Sequence, residues 1–207
     1  MRKKNLLTVL FVVFICVIIM FGCKEEKQEI KGGALEMKEK KVVLIIASSN
    51  FRDEEYLRPK EILTKAGVKI ITASTKLGEI KGMLGTKVKS DILIDNINVS
   101  DYDGIIFIGG SGADEYWNNK TAHKIAKDAV SQDKILAAIC IAPVTLANAD
   151  VINGKTVTGF YSIKEQLISK GAKYTGKNVE VDNKIITGSG PEAAVLFGKK
   201  ILELLNK

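Results

Sequence analysis

The sequence predicts an α/β protein, a mostly parallel sheet with helices on both faces. Three observations predict it. Continuous apolar, β-branched runs such as Val42-Val43-Leu44-Ile45-Ile46-Ala47 read as strands buried on both sides. Between such runs lie stretches whose apolar residues recur at helical spacing. Just beyond the strand ends stand Ser48-Ser49, Gly109-Gly110, Cys140 and Gly188-Ser189-Gly190, where open α/β sheets place their ligand sites.

The elements follow in chain order. After the 42–47 strand, Tyr56, Pro59, Leu63 and Ala66 mark a helix that stops at Gly67. Residues 68–73 form a second strand. A glycine-punctuated stretch at 78–85 predicts a hairpin or loop, and 88–94 a further short strand. Gly104-Ile105-Ile106-Phe107-Ile108 is a third buried strand, broken by Gly109-Gly110. Residues 120–130 are amphipathic and helical. Lys134 to Ile139 is a fourth strand, and a short helix starts at Pro143. Val179–Val181 and Lys184–Thr187 flank Asp182-Asn183 as a hairpin. Pro191 to Leu205 closes the chain as a helix, with proline suited to its first turn.

The chain has 207 residues, 46% hydrophobic and 27% charged, which fits one ordinary globular domain with an appendage. One histidine and three cysteines make a His/Cys zinc site improbable, and no metal site is expected. The net charge of +7 invites a nucleic-acid reading, but no arginine-rich stripe or interleaved aromatics support it. Neither glycine cluster fits a dinucleotide fingerprint or a P-loop, so no cofactor is expected.

The appendage is N-terminal. Arg2, Lys3 and Lys4 precede an apolar run from Leu6 to Phe21, near the length of a signal-peptide core and short for a bilayer span. Gly22-Cys23 follows, and the arrangement resembles a bacterial lipobox. Residues 1–22 are therefore expected to be a signal peptide and Cys23 a lipidation site, making the protein an exported, extracytoplasmic, membrane-anchored lipoprotein. Removing residues 1–22 takes away three positive charges and no negative ones, leaving about +4. Lys24 to Lys41 carries six lysines, five glutamates and Gly32-Gly33, too polar to pack. Residues 23–41 thus read as lipidated cysteine plus flexible tether, and 42–207 as the folded domain. With Cys23 lipidated, Cys140 is a lone thiol.

Cys140 is the chief candidate for chemistry. Ala137-Ala138-Ile139-Cys140-Ile141-Ala142-Pro143 runs from a strand straight into a helix, which puts the thiol on a sharp turn, the geometry of a nucleophile elbow. A helix start beside it favours the thiolate. The backbone N–H groups of Gly110 and Ile141 are placed to converge on a developing oxyanion. A lone cysteine is otherwise most often an inert core residue.

Cys140 with its flanks, after Phe107-Ile108-Gly109-Gly110 and before Thr187-Gly188-Ser189-Gly190-Pro191, resembles the ThiJ/PfpI superfamily. This is the group of the parkinsonism-associated protein deglycase and the PfpI-type intracellular proteases. Phe51 to Pro59 fits that family's first strand-to-helix segment, and the likeness runs from about residue 41 to 205. It implies a flavodoxin-like three-layer sandwich, commonly a homodimer. It also implies that Cys140 is the reactive cysteine and Glu55 the glutamate that contacts it. Two departures stand out. The protease-like branch carries a histidine directly after its cysteine, where this chain has Ile141. The deglycase branch carries one in the segment 158–161, where this chain has Phe160. The only histidine, His123, sits among lysines on the 120–130 helix and reads as a solvated surface residue.

Without a histidine, Cys140 lacks the usual proton shuttle for amide hydrolysis, so a peptidase or amidase is disfavoured. The resemblance implies action on small reactive aldehydes, in the manner of a glyoxalase or deglycase, with Cys140 attacking and a protonated Glu55 serving the proton transfers. The rival reading is a non-enzymatic oxidative-stress sensor or binding protein of the same fold.

Overall fold

The computed structural model describes residues 39–207. The signal segment 1–22, Cys23 and the tether to residue 38 lie outside the described residues.

Eleven strands and five α-helices alternate among the described residues. The principal sheet has seven strands. It is built from β1 (Lys41–Ile45), β2 (Lys69–Ser74), β5 (Ile92–Leu93), β6 (Gly104–Phe107), β7 (Ile135–Ile139), β10 (Val179–Asp182) and β11 (Ile185–Gly188). Their order is β10-β11-β7-β6-β1-β2-β5. All pairs are parallel except the hairpin β10–β11. The order β2-β1-β6-β7-β11 is the doubly wound flavodoxin-like one, with its switch point between β1 and β6. The predicted strands are found within one or two residues of their expected bounds, except the one expected over 88–94: residues 87–90 pair with 78–81 in a separate hairpin, and only β5 joins the principal sheet. Lys41, assigned to the tether from sequence, already pairs with Lys69 and so opens β1.

The sheet is wholly apolar at its centre because both faces are covered. Val43, Ile45, Phe107 and Ala138 point to one face and meet α2 (Lys120–Ser131) and α3 (Pro143–Asn148). Val42, Leu44, Ile106 and Ile139 point to the other and meet α1 (Asp53–Lys65) and α5 (Ala194–Leu205). The alternation along each strand follows from the two-residue period of β structure. These layers make the expected three-layer sandwich.

Three pieces matter for the site beyond this frame. β3 (Gly78–Lys81) and β4 (Lys87–Ser90) form a separate hairpin. A 3-10 segment, Ser111–Tyr116, follows Gly110. The stretch 149–178, to which periodicity assigns no element, holds β8 (Thr156–Val157), α4 (Lys164–Ser169) and β9 (Lys173–Tyr174).

Candidate functional site

The site forms at the carboxyl ends of β6 and β7. β7 ends at Ile139, and Cys140 turns the chain with φ 64°. A non-glycine residue in that left-handed region costs about 1 kcal/mol or more. Its backbone is held on both sides. The Cys140 N–H donates to the Gly188 carbonyl at 2.9 Å, and the Phe160 N–H donates to the Cys140 carbonyl at 2.8 Å. Pro143 then opens α3. The strained turn presents a side chain that is only 9% exposed.

Glu55 comes from the first turn of α1 and is wholly buried. Its Oε2 accepts from the Gly109 N–H at 3.1 Å. Its carboxyl interacts with the Cys140 thiol. Its Oε1 is buried with no directed hydrogen-bond partner among the described residues. Gly109 is what allows the meeting. A Cβ there would lie 2.5 Å from both the Cys140 Cβ and the Glu55 Oε2. Gly110, at φ 106°, passes so close to the chain before α1 that a Cβ would stand 2.3 Å from the Arg52 nitrogen. The backbone N–H groups of Gly110 and Ile141 favour the charged form of the Cys140 sulfur, and both residues line the same cavity as the thiol. All four expected site residues of the domain (Cys140, Glu55, Gly110 and Ile141) are thus brought together.

Electrostatics corrects one expectation. Burial pushes the Glu55 carboxyl up to about 8, against the pull of the thiol, the Arg52 charge and the Gly109 N–H. Burial also pushes the Cys140 thiol up to about 12, the Glu55 charge adds to this, and the Gly110 and Ile141 N–H groups only partly oppose it. The thiolate expected from a helix start is therefore not the resting form. α3 has only six residues, and burial outweighs its dipole. At neutral pH the pair rests as carboxylic acid and thiol.

Other residues support this centre without having been expected to. Trp117 Nε1–H donates to the Ile141 carbonyl at 3.1 Å. The Trp117 carbonyl in turn is hydrogen-bonded to His123 Nε2 and accepts from Asn148 Nδ2, both at 2.8 Å. His123 is therefore half-buried and tied to the elbow through Trp117, not a freely solvated surface residue. Asp53, read from sequence only as an acidic neighbour of Glu55, is 3% exposed. Its carboxylate accepts from the Leu84 and Thr86 N–H groups, both at 2.8 Å, and so pins the β3–β4 hairpin beside the site. Burial alone would raise its pKa, but the Thr86 side chain together with these N–H groups holds it below the usual carboxylate range. A lone tryptophan and an acid opening a helix were the available signals for these two roles.

A cavity of about 550 Å³ opens above the thiol, lined by both Cys140 and Glu55. Arg52 lies at its edge, its guanidinium forked onto Glu54 at 2.8 and 3.2 Å. Among the described residues, no group of three His, Cys, Asp or Glu side chains is arranged to hold a metal ion. What the arrangement offers is a nucleophile, an acid–base group and two backbone N–H groups near the sulfur, at the floor of a pocket of ligand size.

The DJ-1/PfpI family model matches residues 40–204. A Bacillus subtilis relative named as a candidate cysteine protease, YraA, is 32% identical over 80% of this chain and 98% of its own length. A Pyrococcus abyssi relative named a deglycase is 29% identical over 79% of this chain and 98% of its own. The crystal structure of a ThiJ/PfpI domain protein from Brachyspira murdochii superposes with a TM-score of 0.80 at 29% identity, covering 82% of this chain and 98% of that one. The match spans nearly all of the described domain, from β1 through α5, and the chain belongs to the DJ-1/PfpI family.

Proposed function

We propose that this domain is a cysteine enzyme that converts small α-oxoaldehydes to hydroxy acids. The carrying observation is the buried Glu55 carboxyl set against the Cys140 thiol at the floor of an open cavity. Ionised Glu55 takes the thiol proton as sulfur adds to the aldehyde carbon. That proton passes to the new alkoxide, held meanwhile by the Gly110 and Ile141 N–H groups, and gives a hemithioacetal. Glu55 next removes the hydrogen from the former aldehyde carbon, and the electron pair moves to the ketone oxygen as an enediol. Reprotonation at the ketone carbon leaves a thioester of a 2-hydroxy acid. Water cleaves it and restores the thiol. The aldehyde carbon is oxidised, the ketone carbon is reduced by the same two electrons, and only water is consumed.

The names of the deglycase relatives support this substrate class. Amide hydrolysis fits less well, because Ile141 and Phe160 stand where the two branches carry histidine, and His123 reaches the Trp117 carbonyl instead. A peroxide sensor also fits less well, because the thiolate is the oxidisable form and burial holds Cys140 as thiol. The test is methylglyoxal consumption with hydroxy-acid release. Wild type should catalyse it and Cys140→Ala should not; equal rates would end the proposal.

The proposal extends to placement. The domain would be exported and held at a membrane by lipid on Cys23, with residues 24–40 as tether, and mass spectrometry of the mature N-terminus tests this. Leu57 on α1 and Val195 and Leu196 on α5 leave apolar surface exposed on two helices that pack together. That surface supports a homodimer, testable by sedimentation.

A further inference from the structure

The cavity above Cys140 is layered. Four of its polar lining residues, Ser111, Asp114, Ser162 and Gln166, are solvent-exposed and, with exposed Met83, form a rim. Deeper in, the half-buried or buried walls are Trp117, Ile141, Phe160, Ile163 and Pro191. Besides Glu55 at the floor, the half-buried charge of the lining is Arg52 at the edge, already forked onto Glu54. A substrate whose aldehyde carbon reaches the sulfur therefore presses its remaining substituent against apolar wall, below the polar rim. Two of those walls are aromatic, and Phe160 is fixed from behind. Its ring lies 4.7 Å from that of Tyr161, centroid to centroid, and its edge packs over Gly190.

A methyl group leaves most of a cavity of about 550 Å³ filled with water against this wall. A planar ring covers it and gains edge or face contact with Trp117 and Phe160. Resting on the aldehyde chemistry above, we propose that the preferred substrates are α-oxoaldehydes bearing an aromatic substituent, with the ring seated against Phe160 and Trp117. Phe160 is then a specificity-determining residue, placed where part of the resembled family carries a polar imidazole.

The experiment compares kcat/KM of the protein for phenylglyoxal and methylglyoxal, each normalised to its rate of addition to a free thiol. Burying a ring predicts a preference of about 10- to 100-fold for phenylglyoxal. Phe160→Ala should collapse the ratio towards unity, and Phe160→Leu should retain part of it. Equal normalised values with Cys140-dependent turnover would overturn this inference and leave the aldehyde reading standing. The second measurement needs no turnover: protection of Cys140 from iodoacetamide at alkaline pH, where part of the thiol ionises, by acetophenone, against acetone as the control. If neither aldehyde is consumed yet acetophenone protects at concentrations at least tenfold lower than acetone, the aromatic subsite stands and the aldehyde chemistry falls. If acetophenone protects no better than acetone, the aromatic subsite is overturned.

Discussion

Glu55 and Cys140 share one buried space in which burial disfavours the charge of both, and the Glu55 charge further disfavours that of Cys140. The carboxyl is raised to about 8 and the thiol to about 12, so the first proton to leave as pH rises comes from Glu55. The resulting carboxylate is the base that sulfur needs. The aldehyde reaction should therefore gain rate with pH, with kcat/KM following a rising limb of apparent pKa about 8. A profile already flat from pH 6 to 9 would show that Glu55 is not the titrating base.

The same pair makes a prediction for thiol titration. The Glu55 charge is the second cause of the raised thiol pKa, after burial. Glu55→Gln keeps an oxygen for the Gly109 N–H but removes that charge, so Cys140 should ionise at lower pH than in wild type. Thiolate absorbance against pH checks this. A thiol that ionises at higher pH in Glu55→Gln would mean that a neutral Glu55 had been stabilising the thiolate by donation.

Folding stability should register Glu55 as well. Its folded pKa of about 8 lies above that of the unfolded chain, so between these values the native state holds a proton that the unfolded state has released. Stability should fall as pH rises from about 5 to 8, by at most about 1.4 kcal/mol per pH unit. In Glu55→Gln this slope should vanish, and at pH 8 the variant should be more stable by a few kcal/mol while inactive. Urea unfolding at pH 5 and pH 8 reads both.

Much of this was legible in the sequence, and what was not has a common cause. Buried parallel strands are continuous apolar runs, so β1, β6 and β7 announce themselves, and the run into Pro143 marks the elbow. Glu55 was legible only through the family resemblance, because nothing local distinguishes it from Glu54, yet one is buried and the other is not. Trp117 and Asp53 act on groups 24 to 33 residues away, and spacing along the chain does not encode such partners. β8 and β9 pair in parallel over two residues each, too short for periodicity. The raised thiol pKa is not legible there, because a turn motif reveals the helix beside a cysteine but not how much protein covers it.

Cys140 is held at φ 64°, a conformation that glycine adopts freely. Cys140→Gly should be at least as stable as Cys140→Ala, by about 1 kcal/mol, although glycine normally weakens a fold. Both should be inactive. Were the alanine variant clearly the more stable, the elbow would not be strained, and the argument that the turn is kept for its thiol would lose its footing.

Asp53 links the helix that carries Glu55 to the hairpin that carries Met83, a wall of the cavity. Gly82 is shaped around it, since a Cβ there would lie 2.7 Å from the Asp53 Oδ2. Asp53→Ala leaves the Leu84 and Thr86 N–H groups without their acceptor in a partly buried place. Hydrogen bonds to a charged acceptor contribute about 1.5–3 kcal/mol each, but water reaches this site, so a total loss of about 2–3 kcal/mol is expected. Other hydrogen bonds still hold the hairpin, including Asn50 N–H to the Lys81 carbonyl and Met83 N–H to the Phe51 carbonyl, both at 2.9 Å. The hairpin should loosen and not detach. KM for aldehyde should then rise by more than kcat falls, because a wall moves while the Cys140–Glu55 pair stays. The Asp53 contribution also carries its own pH sign. Its folded pKa is lowered, so its stabilisation is full above about pH 4 and fades as pH falls through the lowered value. Wild type and Asp53→Ala should therefore converge in stability near pH 2 and diverge above pH 4. A constant gap across that range, or a kcat loss with KM unchanged, would assign Asp53 a role other than holding the hairpin.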